Sequence, residues 1–331
     1  MDLTVLVTGA SGFIGGAISD RLIGRAEVRS LTSHPVKNRF GERVQSFAYD
    51  FDAPMRMEEA FHGVDVFVNS YYVRFNYGRA TFELAVDRTR ELIALARLAG
   101  VRKVVHVSVS NADERSDLPY YSNKGRIERL VRESGLDYTI LQPAIVVGPG
   151  DILVNNIAFF LRRLPVFTIF ERGDYRVQPI TVDAFADLAI EAIDAIDGAP
   201  GNATLPVAGP RDWVFLDLVR AVHAAVGSRA RLVHAPPALA LAGLRIGYAV
   251  AAVKMARRLA SYALPEDVNV VGAKAASTAL DDTEHVRLSV KRNDDDRQEL
   301  FNQANARMLR AIAQSIGGGA RAGRLVGGSR E

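Results

Sequence analysis

Apolar residues recur along the chain in short β-branched runs separated by amphipathic stretches. Leu3-Thr4-Val5-Leu6-Val7-Thr8 has the length of a strand and ends at a glycine. From Phe13 to Gly24 the period changes, and Phe13, Ile14, Ala17, Ile18 and Leu22 take helical spacing. Further apolar runs stand at 28–31, 44–49, 64–68, 101–107 and 138–141, with helical patterns over 82–99 and 125–133 between them. This alternation predicts an α/β fold, a doubly wound parallel sheet with helices on both faces, whose ligands sit beyond the carboxyl ends of the strands. On this pattern residues 1–150 form the sheet domain, and 177–200 return to it.

After Pro143 the regularity loosens. Residues 151–164 and 182–196 read as helices, and 151–176 with 201–315 make up a smaller lobe on the substrate side. The segment 238–264 is long and apolar, but Arg245, Lys254, Arg257 and Arg258 interrupt it. It therefore falls short of the roughly 18 uncharged residues expected of a membrane span. It reads as an amphipathic helix, either packed on the protein or facing a membrane surface or a protein partner. Residues 316–331 are a flexible tail by their glycine content. No internal repeat is present.

Composition narrows the functional classes. The 331 residues are 48% hydrophobic and 24% charged, ordinary for a globular chain with one large domain or one large and one small. Lys and Arg total 41 against 38 Asp and Glu, and a net charge of +3 gives no basis for nucleic acid as a partner. The chain has no cysteine, which excludes disulfides, thiol nucleophiles and cysteine-ligated metals. His34, His62, His106, His223, His234 and His285 are scattered without ligand spacing, so no metal is expected. The first apolar run is too short for a signal-peptide core, and the expected location is cytoplasmic. Oligomeric state stays open.

The chemistry concentrates in two motifs. Gly9-Ala10-Ser11-Gly12-Phe13-Ile14-Gly15 follows the first strand and opens the first helix. A diphosphate needs backbone N–H groups close by and no Cβ in the way, which suits Gly9 and Gly12, while Gly15 suits close packing of helix on strand. The second motif is Tyr120-Tyr121-Ser122-Asn123-Lys124, which places Tyr120 and Lys124 one helical turn apart on one face. A neighbouring ammonium favours phenolate over phenol, so Tyr120 reads as a general acid or base, with Lys124 as its modulator and a ligand of the cofactor ribose. A serine after the fifth strand completes such a site by hydrogen bonding the substrate oxygen, and Ser108 and Ser110 are both candidates. An NAD site usually has an Asp or Glu at the end of the second strand. Here the stretch carries Thr32, Ser33, His34 and Lys37 and no acid, which favours NADP(H) over NAD(H).

The turn from Thr8 to Gly15 resembles the short-chain dehydrogenase/reductase superfamily in its extended and atypical branches. That resemblance implies that Asp50 and Phe51 frame the adenine and that Asn69, Ser70 and Tyr71 lie beside the cofactor ribose. It matches Ser110 to the catalytic position, puts Ser108 nearer the cofactor, and borders the nicotinamide carboxamide with Pro143, Ala144 and Ile145. An Arg is commoner where Gln142 stands. Three stretches narrow it further: Ser70 to Phe75, Gly150 to Asn156, and Tyr175 to Asp183. They are similar to NmrA-like atypical members, especially the short-chain-dehydrogenase-like accessory subunit of respiratory complex I. The resemblance covers about residues 1–235 and implies firm NADP(H) binding. It leaves two functions open. One is an NAD(P)H-dependent oxidoreductase or an epimerase or dehydratase, acting on a small carbonyl or hydroxyl substrate. The other is a non-catalytic NADP(H)-binding structural, assembly or redox-sensing protein.

Overall fold

The computed structural model describes residues 3–36, 38–73, 76, 80–197 and 201–236. Lys37, Arg74, Phe75, Tyr77, the segment 238–264 and the tail 316–331 lie outside the described residues. The first half alternates as β1 (Thr4–Thr8), α1 (Phe13–Leu22), β2 (Glu27–Thr32), β3 (Gln45–Ala48), α2 (Glu58–Phe61), β4 (Val66–Asn69), α3 (Phe82–Leu98), β5 (Lys103–Val107), α4 (Pro119–Arg132) and β6 (Asp137–Pro143). The second half continues as β7 (Ile145–Val147), α5 (Leu153–Arg163), β8 (Val166–Phe170), β9 (Arg176–Val177), β10 (Pro179–Thr181), α6 (Val182–Asp194), β11 (Ala203–Val207), β12 (Trp213–Val214), α7 (Phe215–Ala225) and β13 (Arg231–Ala235).

Seven strands make one parallel sheet in the order β11-β6-β5-β4-β1-β2-β3. Strand order reverses between β1 and β4, and the crevice at such a reversal is where this architecture holds ligands. The strands read as continuous apolar runs because both faces are covered. Val5, Val7, Val66, Val68, Val105, Val107 and Leu141 pack with Ile18 and Leu22 of α1 and Phe185, Ala189 and Ile193 of α6. Their alternates Leu6, Phe67, Val104 and Ile140 turn to the other face, against Phe61 of α2, Leu92 and Ala96 of α3 and Val131 of α4. The switch by one residue between the two sets is the period-2 signature of a sheet buried on both sides.

Two boundaries differ from the sequence expectation. Helix α4 starts at Pro119 rather than near 125. Proline at the first helical position costs no hydrogen bond, and the polar and aromatic stretch that follows hides the helical period. The expected division placed everything after 201 in the smaller lobe, yet Ala203–Val207 pairs in parallel with Thr139–Pro143 and forms the edge of the main sheet. The chain then enters the smaller lobe, where α5 and α7 pack on the parallel pair β8 and β13 around Val154, Ala158, Leu161, Ile169, Val219 and Val222.

Candidate active site

The glycine turn has a geometry that fits a diphosphate. Gly9 has φ +66°, a conformation that disfavours any side chain, and its amide donates to the Leu31 carbonyl of β2 at 2.7 Å. The Gly12 amide donates back to the Gly9 carbonyl at 2.7 Å. A Cβ on Gly12 would lie 3.0 Å from that oxygen, and one on Gly15 would lie 2.5 Å from it. No side chain caps α1, so the opening amides of the helix, at Phe13, Ile14 and Gly15, have no acceptor within it. Ser11 and Gly12 are exposed at its mouth. Amides without acceptors, a helix N-terminus and a floor with no side chains fit a dinucleotide diphosphate.

The reversal between β1 and β4 is clipped shut beside this turn. The Ser70 hydroxyl donates to the Thr8 carbonyl at 2.6 Å, and the Thr8 hydroxyl accepts the Ser70 amide at 2.7 Å. Asn69 is fully buried, its side-chain oxygen accepts the Tyr71 amide, and its Nδ2 is unpartnered among the described residues. Such an orphaned donor is rare in a folded interior, and at the switch point it fits a polar group of a bound dinucleotide.

On the side expected for the adenine, Tyr49 stacks on Phe51, and Tyr71 closes the cluster. Arg88 lies 4.5 Å over the Phe51 ring and donates to the Tyr71 hydroxyl at 3.0 Å. Burial and the nearby Tyr71 push the Tyr49 hydroxyl well above its ordinary pKa. Asp50 is turned to its own loop, accepting the Ala53 amide at 3.0 Å and pairing with Arg56 at 3.1 Å. At the end of β2, Thr32 accepts the His34 amide, and Ser33 and His34 are exposed. Arg39, not singled out by sequence pattern, folds back onto α1. Its guanidinium lies 4.4 Å over Phe40, pairs with Asp20 at 2.5 Å, and reaches within 2.9 Å of where a Gly16 Cβ would stand.

The structure brings Tyr120 and Lys124 together on α4 at the carboxyl ends of β4 and β5. Tyr120 meets Tyr72, Phe82 and Tyr121 edge to face at 5.3–5.7 Å, and its backbone carbonyl accepts the Tyr72 hydroxyl at 3.1 Å. Lys124 is only 3% exposed; its Nζ donates to the Val107 carbonyl at 2.9 Å and lies 4.2 Å from the centre of the Tyr72 ring. Burial lowers its pKa to about 7, and the Glu128 carboxylate pulls in the opposite direction. Beneath it, His106 is fully buried with Nδ1 on the Asn69 carbonyl, and burial together with the Lys124 charge holds it neutral, well below its ordinary range.

The two candidate serines separate. Ser108 donates to Glu128 at 2.5 Å, so its hydroxyl is spent inside the protein. The Ser110 amide is held by the Pro143 carbonyl at 2.9 Å, and its hydroxyl takes no hydrogen bond among the described residues. Ala144 is fixed by the Val207 carbonyl at 3.2 Å, and Ile145 opens β7, facing Pro179 of β10. Past Gly148, which packs on Phe13 of the glycine turn, Asp151 caps α5 by accepting the Val154 amide at 2.8 Å. Burial raises its pKa to about 6 against the pull of four backbone amides. Glu128 was missed from sequence, although Tyr120, Lys124, Glu128 and Arg132 recur at four-residue steps on one helix face. Among the described residues no cluster of His, Asp or Glu could hold a metal ion.

Residues 9–151 match the NAD(P)H-binding family. Photosystem II assembly factor Ycf39 of Synechocystis is 24% identical over 72% of each chain. The NAD(P)H azoreductase of Xenophilus azovorans is 28% identical over 69% of this chain and 76% of its own. The 40 kDa subunit of NADH-ubiquinone oxidoreductase from Neurospora crassa is 23% identical over 70% of this chain and 63% of its own. Among solved structures, MoeE5 in complex with UDP-glucose and NAD superposes with a TM-score of 0.59 at 20% identity, over 70% of this chain and 85% of that one, a likeness of fold. The fold and glycine turn define a Rossmann-type dinucleotide-binding protein. Within that class, these likenesses support an atypical, NmrA-like short-chain dehydrogenase/reductase. No helix among the described residues is long and apolar enough to cross a membrane.

Proposed function

We propose that the chain is an NAD(P)H-dependent oxidoreductase, or an epimerase or dehydratase, acting on a small carbonyl or hydroxyl substrate. The observation that carries this reading is the placement of Tyr120 and a buried Lys124 on one face of α4, at the same sheet end as the glycine turn. Tyr120 gives or takes the proton at its hydroxyl. Lys124 places a positive charge beneath it, and the unengaged Ser110 hydroxyl orients the substrate oxygen. Gly9, Ser11, Gly12 and the opening amides of α1 hold the diphosphate, and the bound dinucleotide supplies hydride transfer at the reacting carbon. NADP(H) is favoured over NAD(H), because β2 ends without a carboxylate and Ser33 and His34 are exposed there for a 2′-phosphate.

A second reading has its own support. Tyr72 covers Lys124 and ties the backbone at Tyr120, and a relative of this chain is named as an assembly factor and another as a respiratory subunit. A protein of that kind holds its cofactor without turnover. The deciding experiment measures NADPH and NADH oxidation against aldehydes, ketones, quinones and azo dyes, for wild type and Tyr120→Phe. Catalysis by Tyr120 means a loss of at least about 100-fold in kcat with cofactor affinity kept. Turnover unchanged by the substitution overturns the role of Tyr120. Tight NADPH binding with no turnover on any substrate selects the second reading.

A further inference from the structure

Glu128 is the least expected group in the site, a carboxylate with 1% of its surface exposed. It accepts Ser108 Oγ at 2.5 Å and Gln142 Nε2 at 2.8 Å on one oxygen, and pairs with Arg132 at 2.6 Å on the other. An isolated ion at this depth is strongly disfavoured, so three donors converging from the loop after β5, from β6 and from the next turn of α4 amount to a built site for a negative charge. One helical turn before it stands Lys124, whose Nζ has a backbone carbonyl and an aromatic face as direct neighbours.

We propose that Glu128 is the positioning residue of the Tyr120–Lys124 pair: its buried carboxylate supplies the counter-charge of the Lys124 ammonium and draws the Ser108 hydroxyl out of the site. The inference rests on the reading of Lys124 as the cation beneath Tyr120. Among the described residues Glu128 is the carboxylate that acts on Lys124, and Glu83 of α3 acts on the covering Tyr72. Tyr120 and Arg132 share its helix face; His106 and the Val107 carbonyl face it from β5, and Tyr72 covers it from the loop after β4. Lys124 and Arg132 both help to keep His106 neutral; on Lys124 itself burial works against the charge and Glu128 works for it, while also pairing with Arg132. The same carboxylate decides between the serines. With Ser108 engaged by Glu128, Ser110 is the hydroxyl left for a substrate oxygen.

The test reads the lysine directly, without cofactor or turnover. The chain has six lysines, so lysine labelled with carbon-13 at Cε gives a short list of resonances to titrate. Lys124→Arg assigns the signal. In Glu128→Gln the Lys124 midpoint is expected to fall by about one pH unit or more, roughly a tenfold loss of proton affinity. A midpoint unmoved in a folded Glu128→Gln protein overturns the proposal, since a purely structural carboxylate lowers thermal stability and leaves this titration in place. Should that variant fail to fold, Arg132→Gln decides, because it removes the competing cation at the partly exposed end of the network. The Lys124 midpoint must then rise, and one that stays or falls sinks the proposal. If the midpoint moves as expected while no substrate is ever turned over, the counter-charge stands and the catalytic reading fails.

Discussion

Single residues in this site are controlled mainly by how deeply they are buried. Lys124, Glu128, Asp151 and His106 each lie almost without solvent, and each is held by a different set of neighbours. Asp151 gives the clearest consequence. Its pKa of about 6 exceeds the unfolded value near 4, so between those values the folded protein holds a proton that the unfolded chain has released. Stability therefore falls as pH rises through this window and no longer changes from this group above it. Asp151→Asn keeps an oxygen to cap α5 and removes the titration. The difference in unfolding free energy between wild type and variant is expected to change by on the order of 2–3 kcal/mol from pH 4 to pH 6.5, in favour of the variant as pH rises. Denaturant melts at a series of pH values check this, and parallel curves for the two proteins would count against it.

At the scale of elements, the join between β1 and α1 depends on what is absent from Gly15. An added methyl there meets the Gly9 carbonyl oxygen at 2.5 Å, and the neighbour is backbone, which cannot swing aside. Gly15→Ala is expected to cost roughly 2 kcal/mol or more and to weaken cofactor binding at least about tenfold, because the helix must lift from the strand it starts from. Thermal melting with calorimetric titration of NADPH checks both parts. Retained affinity in a folded variant would show that the cradle tolerates the shift. Much of this element was legible beforehand. The glycine spacing, the β-branched run before it and the acid-free end of β2 all act locally, within about thirty residues of sequence. Arg39 was not legible, because nothing in its spacing distinguishes it from a surface arginine. Only the loop after β2 carries it back over α1. The start of α4 was lost for a related reason, since Pro119 to Asn123 shows no apolar period, and its helical state is fixed by Lys124 and Ile127 burying against the sheet. Glu128 lay in plain view at a regular step, yet a Glu at that spacing usually pairs with solvent-facing Lys or Arg. Its depth comes from the sheet beneath it, which no local pattern reports.

For the whole molecule, the sequence periodicity conveyed the order of strands and helices well, because a parallel sheet buried on both sides must alternate with its crossover helices. It conveyed the return of the chain poorly. Ala203–Val207 is a strand broken by Pro206, and that interruption is accepted because the segment pairs only at the edge of the sheet, beside β6. The same long-range closure covers α1. Helix α6 packs along it through Phe185, Ala186 and Ala189, and Arg21 reaches Asp183 and Asp187 while Arg25 reaches Asp194. These are exposed ion pairs worth little singly, so the apolar face carries the contact.

That pairing sets a schedule for synthesis. A ribosome that has released the chain through Gly150 has delivered the glycine turn, Tyr120 and Lys124, yet the side of α1 that meets α6 is still bare to solvent. Contacts between positions so far apart in sequence are the slowest to form, and the nascent fragment has nothing of its own to cover that face. Nascent chains stalled with Gly150 just outside the exit tunnel should therefore be cut by protease near α1, and chains stalled with Asp197 outside should be protected there. Equal protection at both lengths would mean that the cradle matures without α6. On this account the ability to hold a dinucleotide is acquired late, tens of residues after the last of its candidate ligands has been translated.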